Sequence, residues 1–271
     1  MLELLDKLAD ARGAGIRVAI VDSGVEGSHP WVGGRLKASF RVANDPAHGG
    51  YGVMDSEPTD VYGHGTAVAG QIRRFAPDVD LMSLQILGGN LKTNSNCLLA
   101  ALRWLTTQKI HIINLSLSTM REELALLMSH AVDDLYARNI ACVCARGYHL
   151  TGKAYPTNFA GTIGVTYKNM TQGDRQSQGR IEFRPMDHVA FDASGIAVQV
   201  AWNDGGVREV EGSSFACPLV TGLAARFLSL RPSLTPYELT TLLKAYAERQ
   251  AQGWWEDWMN EVDTPPVSST S

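Results

Sequence analysis

The sequence has no unbroken run of roughly 18 apolar residues, the length that a helix needs to span a bilayer. Its first residues mix acidic with apolar side chains, so they lack the basic and continuously apolar segments of a secretion signal. The net charge of -4 comes without a basic cluster, which disfavours binding to nucleic acid or to anionic lipid. We therefore expect a protein that is not exported and that has neither a membrane nor nucleic acid as its partner.

Cysteine is also scarce, because the 271 residues include only 4. Cys142 and Cys144 lie two apart in a predicted strand, Cys217 lies in a predicted helix, and the fourth stands alone. This spacing is neither a disulfide framework nor the tight-turn pairing of a structural zinc site, so no metal or other cofactor is predicted. Buried thiols in a reducing compartment explain the pattern, and we expect a cytoplasmic location.

What the sequence does contain is a repeated alternation of short aliphatic runs with helix-like segments. Aliphatic runs rich in Val and Ile are typical of buried parallel strands, and helices connect such strands. We therefore predict an α/β protein with a mainly parallel central sheet flanked by helices. The predicted strands cover 16–21, 81–87, 110–115, 140–144 and 162–165, and the predicted helices cover 66–75, 93–107, 121–138, 214–230 and 235–250.

The length fits one large α/β domain. No internal repeat and no linker rich in Gly or Ser divides the chain. We predict a single domain over residues 1–263 and a flexible tail over 264–271, because the tail has the Pro, Ser and Thr composition of frayed termini.

Three segments carry residue types that can cooperate in nucleophilic catalysis. Asp22 ends the first predicted strand, at the sheet edge where open parallel sheets bind ligands. His64 stands between two glycines at a predicted helix start, and Ser214 opens a long apolar helix whose N–H groups favour developing negative charge. Pro218 is expected in the first turn of that helix, where its missing N–H has no intrahelical partner. An Asp after a strand also caps turns, and a His between glycines is common on surfaces, so neither decides alone.

Together these segments resemble the motifs of the subtilisin-like, or subtilase, family of serine peptidases. Asp22-Ser-Gly24 is similar to its Asp-Ser/Thr-Gly motif and His64-Gly-Thr66 to its His-Gly-Thr motif. Gly212-Ser-Ser-Phe-Ala-Cys-Pro218 is similar to its Gly-Thr-Ser-Met-Ala-x-Pro motif. The order Asp, His, Ser along the chain is that of subtilisin. The resemblance covers residues 13–247 and implies the subtilisin-like three-layer fold.

The resemblance implies a serine endopeptidase with the catalytic triad Asp22, His64 and Ser214. His64 would take the hydroxyl proton of Ser214 and return it to the leaving amine, while Asp22 orients the imidazole and stabilises its charged form. Water would then hydrolyse the acyl-enzyme, so the partner is a peptide or protein substrate. A peptide ligase or macrocyclase, in which an amine replaces that water, would use the same residues.

The same resemblance assigns substrate binding to the ends of two strands. The backbone of Ser116, Leu117 and Ser118 would pair with an extended substrate by strand addition and help to line the S1 pocket. The opposite wall of the pocket would consist of Ala145, Arg146 and Gly147.

The chain departs from the family at the residue that donates to the oxyanion. Family members carry Ala-Gly-Asn there, whereas Ala145-Arg-Gly-Tyr148 places Tyr148 at the position of the Asn. The backbone N–H of Ser214 remains as a donor, and removing one donor costs about 10² to 10³ in kcat, a factor measured on subtilisin. Either the Tyr148 hydroxyl or the His149 ring replaces the Asn as a donor, or the loop shifts by one residue, or Tyr148 serves only as a wall of the S1 pocket. The departure also leaves open a peptide-binding pseudo-protease or scaffold.

Two further absences narrow the expected role. The helix after His64 runs almost directly into the next strand, so the resemblance implies that the calcium-binding loop of many subtilisins is missing. We also expect folding without a propeptide, because the resemblance already begins at residue 13. Both fit an intracellular peptidase of narrow specificity that acts on a precursor peptide or a partner protein. The stretch between Asp22 and His64, with His29 and Asp60, is predicted as a surface loop without metal ligands.

Overall fold

A nine-stranded sheet forms the centre of the protein. The computed structural model describes residues 2–45, 50–146, 152–168, 170, 179–185 and 189–254. The strands are β1 (Arg17–Asp22), β2 (Leu36–Asp45), β3 (Gly50–Asp55), β4 (Asp80–Gln85), β5 (Ile112–Leu115), β6 (Ala141–Ala145), β7 (Thr162–Lys168), β8 (Ile181–Phe183) and β9 (Phe191–Ser194). Their order is β3-β2-β4-β1-β5-β6-β7-β9-β8. Only the edge pairs β2–β3 and β8–β9 are antiparallel, and the pairs between them are parallel.

Helices cover both faces of this sheet. They are α1 (Leu2–Asp6), α2 (His64–Phe75), α3 (Ser95–Leu105), α4 (Ala125–Ala137), α5 (Ser213–Leu230) and α6 (Pro236–Ala251). A separate hairpin of β10 (Val198–Trp202) and β11 (Gly206–Val210) precedes α5 and packs on α2. The central sheet and its two helical layers form the predicted α/β three-layer architecture.

The central strand β1 shows how the sheet divides two apolar cores. Val18 and Ile20 belong to the core under α1, α2, α5 and α6, whereas Ala19 and Val21 belong to the core under α3 and α4. Successive side chains of a strand point to opposite faces, so a strand buried on both faces is a continuous aliphatic run. The sequence of β1 is such a run, and its prediction as a buried parallel strand is confirmed.

The central helix α5 lies in the core of the protein. Its 18 residues are apolar enough to pass a length-and-composition test for a membrane span, but 83% of that window is buried inside the domain. Ala216, Leu223 and Phe227 are among its residues with no exposed surface. The apolarity of α5 therefore reflects its position in the core of the protein.

The structure confirms the fold class and the central elements and corrects one local expectation. The stretch after Asp22 is not only a loop, because it contains β2 and β3. Both strands are mostly half-buried, so they lack the continuous aliphatic run that marked the central strands. The hairpin β10–β11 and the strands β8 and β9 were not predicted either. The single-domain division stays a prediction, and the tail 264–271 lies outside the described residues.

Candidate active site

Two strand ends and two helix starts meet at one edge of the sheet. β1 ends at Asp22, and the neighbouring parallel strand β5 ends immediately before Ser116. α2 begins at His64, and Ser214 is the second residue of α5, which packs against α2. The fold thus brings together four predicted site residues that are far apart in sequence, at the carboxyl edge where such sheets bind ligands.

Asp22 and His64 form a buried hydrogen-bonded pair. His64 Nδ1 lies 2.8 Å from Asp22 Oδ1 and 2.9 Å from Asp22 Oδ2. Asp22 is 1% exposed and His64 8%. A carboxylate only accepts hydrogen bonds, so Nδ1 carries the proton and the neutral ring keeps its Nε2 lone pair for another partner. This is the tautomer that a general base at Nε2 requires.

The surroundings of His64 favour its charged form. Burial lowers the pKa of His64, but the charge and hydrogen bond of Asp22, together with the charge of Asp60, outweigh burial and raise the pKa above its ordinary value. The ring also packs on Phe215, with ring centroids 5.4 Å apart. Because Phe215 follows Ser214, this contact ties the imidazole to the start of α5.

Ser214 and Ser116 exchange hydrogen bonds between side chain and backbone. Ser214 Oγ donates to Ser116 O at 3.3 Å, and Ser116 Oγ donates to Ser214 O at 3.2 Å. In the described part of the chain, Ser214 Oγ makes no hydrogen bond to His64. The free structure therefore holds the Ser214 hydroxyl on the backbone of the predicted substrate-binding strand.

Pro218 explains why the Ser214 carbonyl is available to Ser116. The expectation that Pro218 lies in the first turn of α5 is wrong, because the helix begins at Ser213 and Pro218 falls in its second turn. There the missing N–H would have bonded to the carbonyl four residues earlier, which is that of Ser214. The hydroxyl of Ser116 supplies the hydrogen bond that Pro218 cannot make.

Asn114 determines which atom donates in the hydrogen bond between Ser116 and Ser214. Its Nδ2 donates to Ser116 Oγ at 3.0 Å, so the Ser116 proton is free to point at the Ser214 carbonyl. Asn114 Oδ1 accepts from Thr221 Oγ1 at 2.8 Å and from Cys217 Sγ at 3.5 Å. Sequence reasoning missed Asn114, although a polar residue inside the aliphatic run of β5 was a usable signal.

The remaining predicted pocket residues are only partly described. Leu117 and Ser118 are half-buried after β5, Ala145 is buried at the end of β6, and Arg146 N–H donates to Val165 O at 2.8 Å. Gly147, the predicted wall residue, and Tyr148 and His149, the candidate oxyanion donors, lie outside the described residues. Ser214 lies in the first turn of α5, where a backbone N–H has no intrahelical acceptor. Of the predicted oxyanion donors, only the Ser214 N–H therefore falls within the described residues, and its role stays a prediction.

The cysteines are buried thiols, as the sequence pattern predicts. All 4 are free and buried, and the Sγ atoms of Cys142 and Cys144 are 3.5 Å apart. Burial raises the pKa of the Cys144 and Cys217 thiols, so both stay protonated and are poor nucleophiles. Across the residues that the structure describes, no group of three or more His, Cys, Asp or Glu is placed to hold a metal ion.

The predicted loop between Asp22 and His64 contains two residues with unexpected roles. His29 is 1% exposed, with Nε2 donating to Gly206 O at 3.0 Å and Nδ1 accepting from Trp31 N–H at 3.1 Å. It therefore joins this segment to the start of β11 instead of lying on the surface. Asp60 accepts hydrogen bonds along the turn that precedes His64.

Comparison with known proteins agrees with this geometry. The subtilase family model matches residues 13–257. This chain belongs to the subtilase family. The subtilase is 28% identical over 246 residues to alkaline elastase YaB of Bacillus sp. (strain YaB), a match that covers 86% of this chain and 59% of the relative. The subtilase thus spans about 59% of the length of such curated relatives.

Further similarities extend over most of both chains. The subtilase is 28% identical over 244 residues to Subtilisin Savinase of Lederbergia lenta, covering 86% of this chain and 83% of the relative. The solved structure of Sphericase matches with a TM-score of 0.70 and 27% identity, over 86% of this chain and 83% of that chain. A cold adapted subtilisin-like serine proteinase matches with a TM-score of 0.69 and 24% identity, over 87% and 83%. The predicted family and fold are confirmed.

Proposed function

We propose that this subtilase is a serine endopeptidase that hydrolyses peptide bonds through an acyl-enzyme on Ser214. The observation that carries the proposal is the buried Asp22–His64 pair, whose free Nε2 belongs to a ring packed beside the start of α5. Membership of a family of serine peptidases supports the same chemistry. Asp22, His64 and Ser214 are thus proposed as the triad.

The first step that the proposal requires is a movement of the Ser214 hydroxyl. We propose that rotation about the Cα–Cβ bond brings Oγ from Ser116 O toward His64 Nε2. The bond that breaks is long at 3.3 Å, so little stabilisation is lost. His64 then accepts the proton as Oγ attacks the substrate carbonyl, and Asp22 stabilises the imidazolium. The imidazolium later protonates the leaving amine, and water releases the acyl group.

The negative charge of the tetrahedral intermediate is assigned to the start of α5. We propose that the backbone N–H of Ser214, in the first turn of α5, donates to this oxygen and that the positive end of the helix dipole stabilises its charge. Tyr148 as a second donor stays a prediction. We assign the substrate backbone to Ser116, Leu117 and Ser118, with Ala145, Arg146 and Gly147 as the opposite wall of the S1 pocket.

We propose a peptide or protein substrate of narrow range, a precursor peptide or a partner protein, with water as the acceptor of the acyl group. A cytoplasmic location stays a prediction from the cysteine pattern. Ligation and peptide binding without turnover use the same site and are the outcomes against which hydrolysis is tested.

The test is labelling of the purified protein by a serine-directed fluorophosphonate, measured by intact mass, beside cleavage of a peptide library. We expect one label on Ser214 that is lost in Ser214→Ala and strongly slowed in His64→Ala, together with cleaved peptides. Adding a peptide amine separates hydrolysis from ligation by the mass of the products. A folded protein that binds library peptides but neither takes the label nor cleaves them would contradict the proposal and favour a scaffold.

A further inference from the structure

A second carboxylate, that of Asp60, lies under the turn that carries His64. Asp60 Oδ1 accepts from Ser23 Oγ at 2.7 Å and from the backbone N–H groups of Tyr62 and Gly63 at 2.9 and 2.8 Å. Gly63 is left-handed at φ 110°, and an added Cβ would meet an indole 2.7 Å away, so this turn accepts only Gly there. Oδ1 therefore sets the backbone immediately before His64.

The other oxygen of Asp60 fixes the backbone on the far side of His64. Oδ2 accepts from Thr66 N–H at 2.8 Å and from Thr66 Oγ1 at 2.7 Å. The backbone of Asp60 is held as well, because Asn203 Nδ2 donates to its carbonyl at 3.0 Å and its strand bridge is to Gly24. One carboxylate thus bonds to residues on both sides of the imidazole.

Ser23 connects this carboxylate with the acid that bonds to His64. The Ser23 N–H donates to Asp22 Oδ1 at 2.7 Å, while its hydroxyl donates to Asp60. The same hydroxyl oxygen accepts from Gly65 N–H at 3.1 Å. Ser23 has no exposed surface, so these bonds are sheltered from competing water. The positions of Asp22, Asp60 and the His64 turn are therefore set together.

The donors to Asp60 are all neutral, which leaves its negative charge uncompensated by a cation in the described part of the chain. The charged groups that face the His64 ring there are Asp22 and Asp60, and the charges of both raise the pKa of His64 against the lowering by burial. Phe215, which packs on the ring from α5, does not titrate. Asp60 therefore acts on His64 by geometry and by charge.

We propose that Asp60 is a positioning residue for His64, which holds the 60–66 turn against Asp22 and favours the imidazolium formed when Ser214 reacts. The effect on turnover rests on the function proposed above. The effect on the ring itself does not, because His64 titrates whether or not the protein is an enzyme. A residue that only stabilised the turn would change neither the titration of His64 nor kcat in a folded variant.

The experiment compares Asp60→Asn with Asp55→Asn, which removes an exposed carboxylate at the end of β3. The imidazole of His64 is titrated by NMR in histidine-labelled protein and assigned from His64→Ala. In parallel, kcat and KM for a cleaved peptide are measured against pH, and circular dichroism confirms folding.

In Asp60→Asn we expect the titration midpoint of His64 and the acid limb of kcat/KM to move together to lower pH. At the pH plateau kcat falls about tenfold, because the ring is displaced by a fraction of an ångström, while KM changes little. Asp55→Asn leaves both unchanged. A folded Asp60→Asn protein with the parental midpoint and kcat would overturn the proposal.

A second variant covers the case in which Asp60→Asn does not fold. Ser23→Ala removes the link between the two carboxylates but keeps both charges, so we expect a severalfold fall in kcat with the titration midpoint unchanged. Parental kcat in Ser23→Ala would count against positioning. If the parent protein shows no turnover but Asp60→Asn still lowers the midpoint, the influence of Asp60 on His64 stands and the peptidase function fails.

Discussion

The N-termini of α2 and α5 both lie at the proposed active site, but they differ in what occupies them. At α2 the backbone N–H groups of Gly63 and Thr66 are bonded to the carboxylate of Asp60, so that terminus is already occupied by a negative charge. At α5 the N-cap is Gly212, which offers no side-chain cap. A helix N-terminus attracts anions. The occupied terminus therefore favours a cationic His64, and the open one favours an anion formed beside Ser214.

The largest expected effect comes from breaking the pair at α2. Asp22→Asn leaves the shape of the site but lets an amide donate to Nδ1, so Nε2 carries the proton and cannot act as a base. We expect kcat to fall about 10⁴-fold, which is the loss measured for the same Asp→Asn change in another serine peptidase. Removal of the triad Asp in subtilisin has an effect of similar size. Peptide hydrolysis measures it. Asp55→Asn is the control, and an Asp22→Asn protein within tenfold of the parent would contradict the assignment.

The next largest effect comes from making the two termini alike. Ser213→Asp places a carboxylate at the first residue of α5, so the terminus is occupied and the charge repels the oxyanion. We expect kcat about a hundredfold below that of Ser213→Asn, which has the same shape without the charge. Equal activity of the two variants would show that the open terminus does not stabilise the reaction.

A smaller effect concerns the hydrogen bond from Ser116 Oγ to the Ser214 carbonyl, which replaces the bond that Pro218 cannot make. Ser116→Ala leaves the carbonyl of Ser214 and the amide of Asn114 without partners. We expect the free energy of unfolding to fall by about 1 to 3 kcal/mol, measured by urea denaturation. Ser118→Ala, on the same segment but without such a bond in the described structure, serves as the control. Unchanged stability of Ser116→Ala would show that the hydrogen bond from Ser116 to the Ser214 carbonyl does not stabilise the fold.

The smallest expected effect concerns the pH at which the parent protein loses kcat/KM on the acid side. His64 must be neutral to act as a base, and its pKa is raised, so activity is lost as the pH falls through a midpoint above 6.5. Burial lowers the pKa of His64, but the charges of Asp22 and Asp60 outweigh burial, so the pKa is raised. The dependence of kcat/KM on pH measures this midpoint. A midpoint below 6.5 would mean that burial dominates the environment of His64.

The sequence alone predicts some parts of the site and not others. Asp22, His64 and Ser214 lie in short motifs, and the central strands are aliphatic runs, so both were predictable from local pattern. The exchange between Ser116 and Ser214 joins residues 98 positions apart, and no local pattern encodes it. The exchange depends on the position of Pro218 in the second turn of α5, which leaves the Ser214 carbonyl available to Ser116.

Asp60 and the edge strands were missed for related physical reasons. Asp60 bonds to Ser23, which lies 37 positions away, and a lone Asp in a polar stretch is typical of a surface turn. β2 and β3 have one solvated face, so their hydrophobic signal is weak. Tertiary pairing, which sequence pattern does not contain, decided each of these cases.

The decisive measurement is the pH dependence of fluorophosphonate labelling of Ser214, compared with the NMR titration of His64. We propose that neutral His64, oriented by Asp22, activates Ser214 at the open end of α5. We therefore expect the labelling rate to fall on the acid side with the same midpoint as the His64 titration. Labelling that follows a different midpoint, or no labelling of folded protein at any pH, would contradict the proposal.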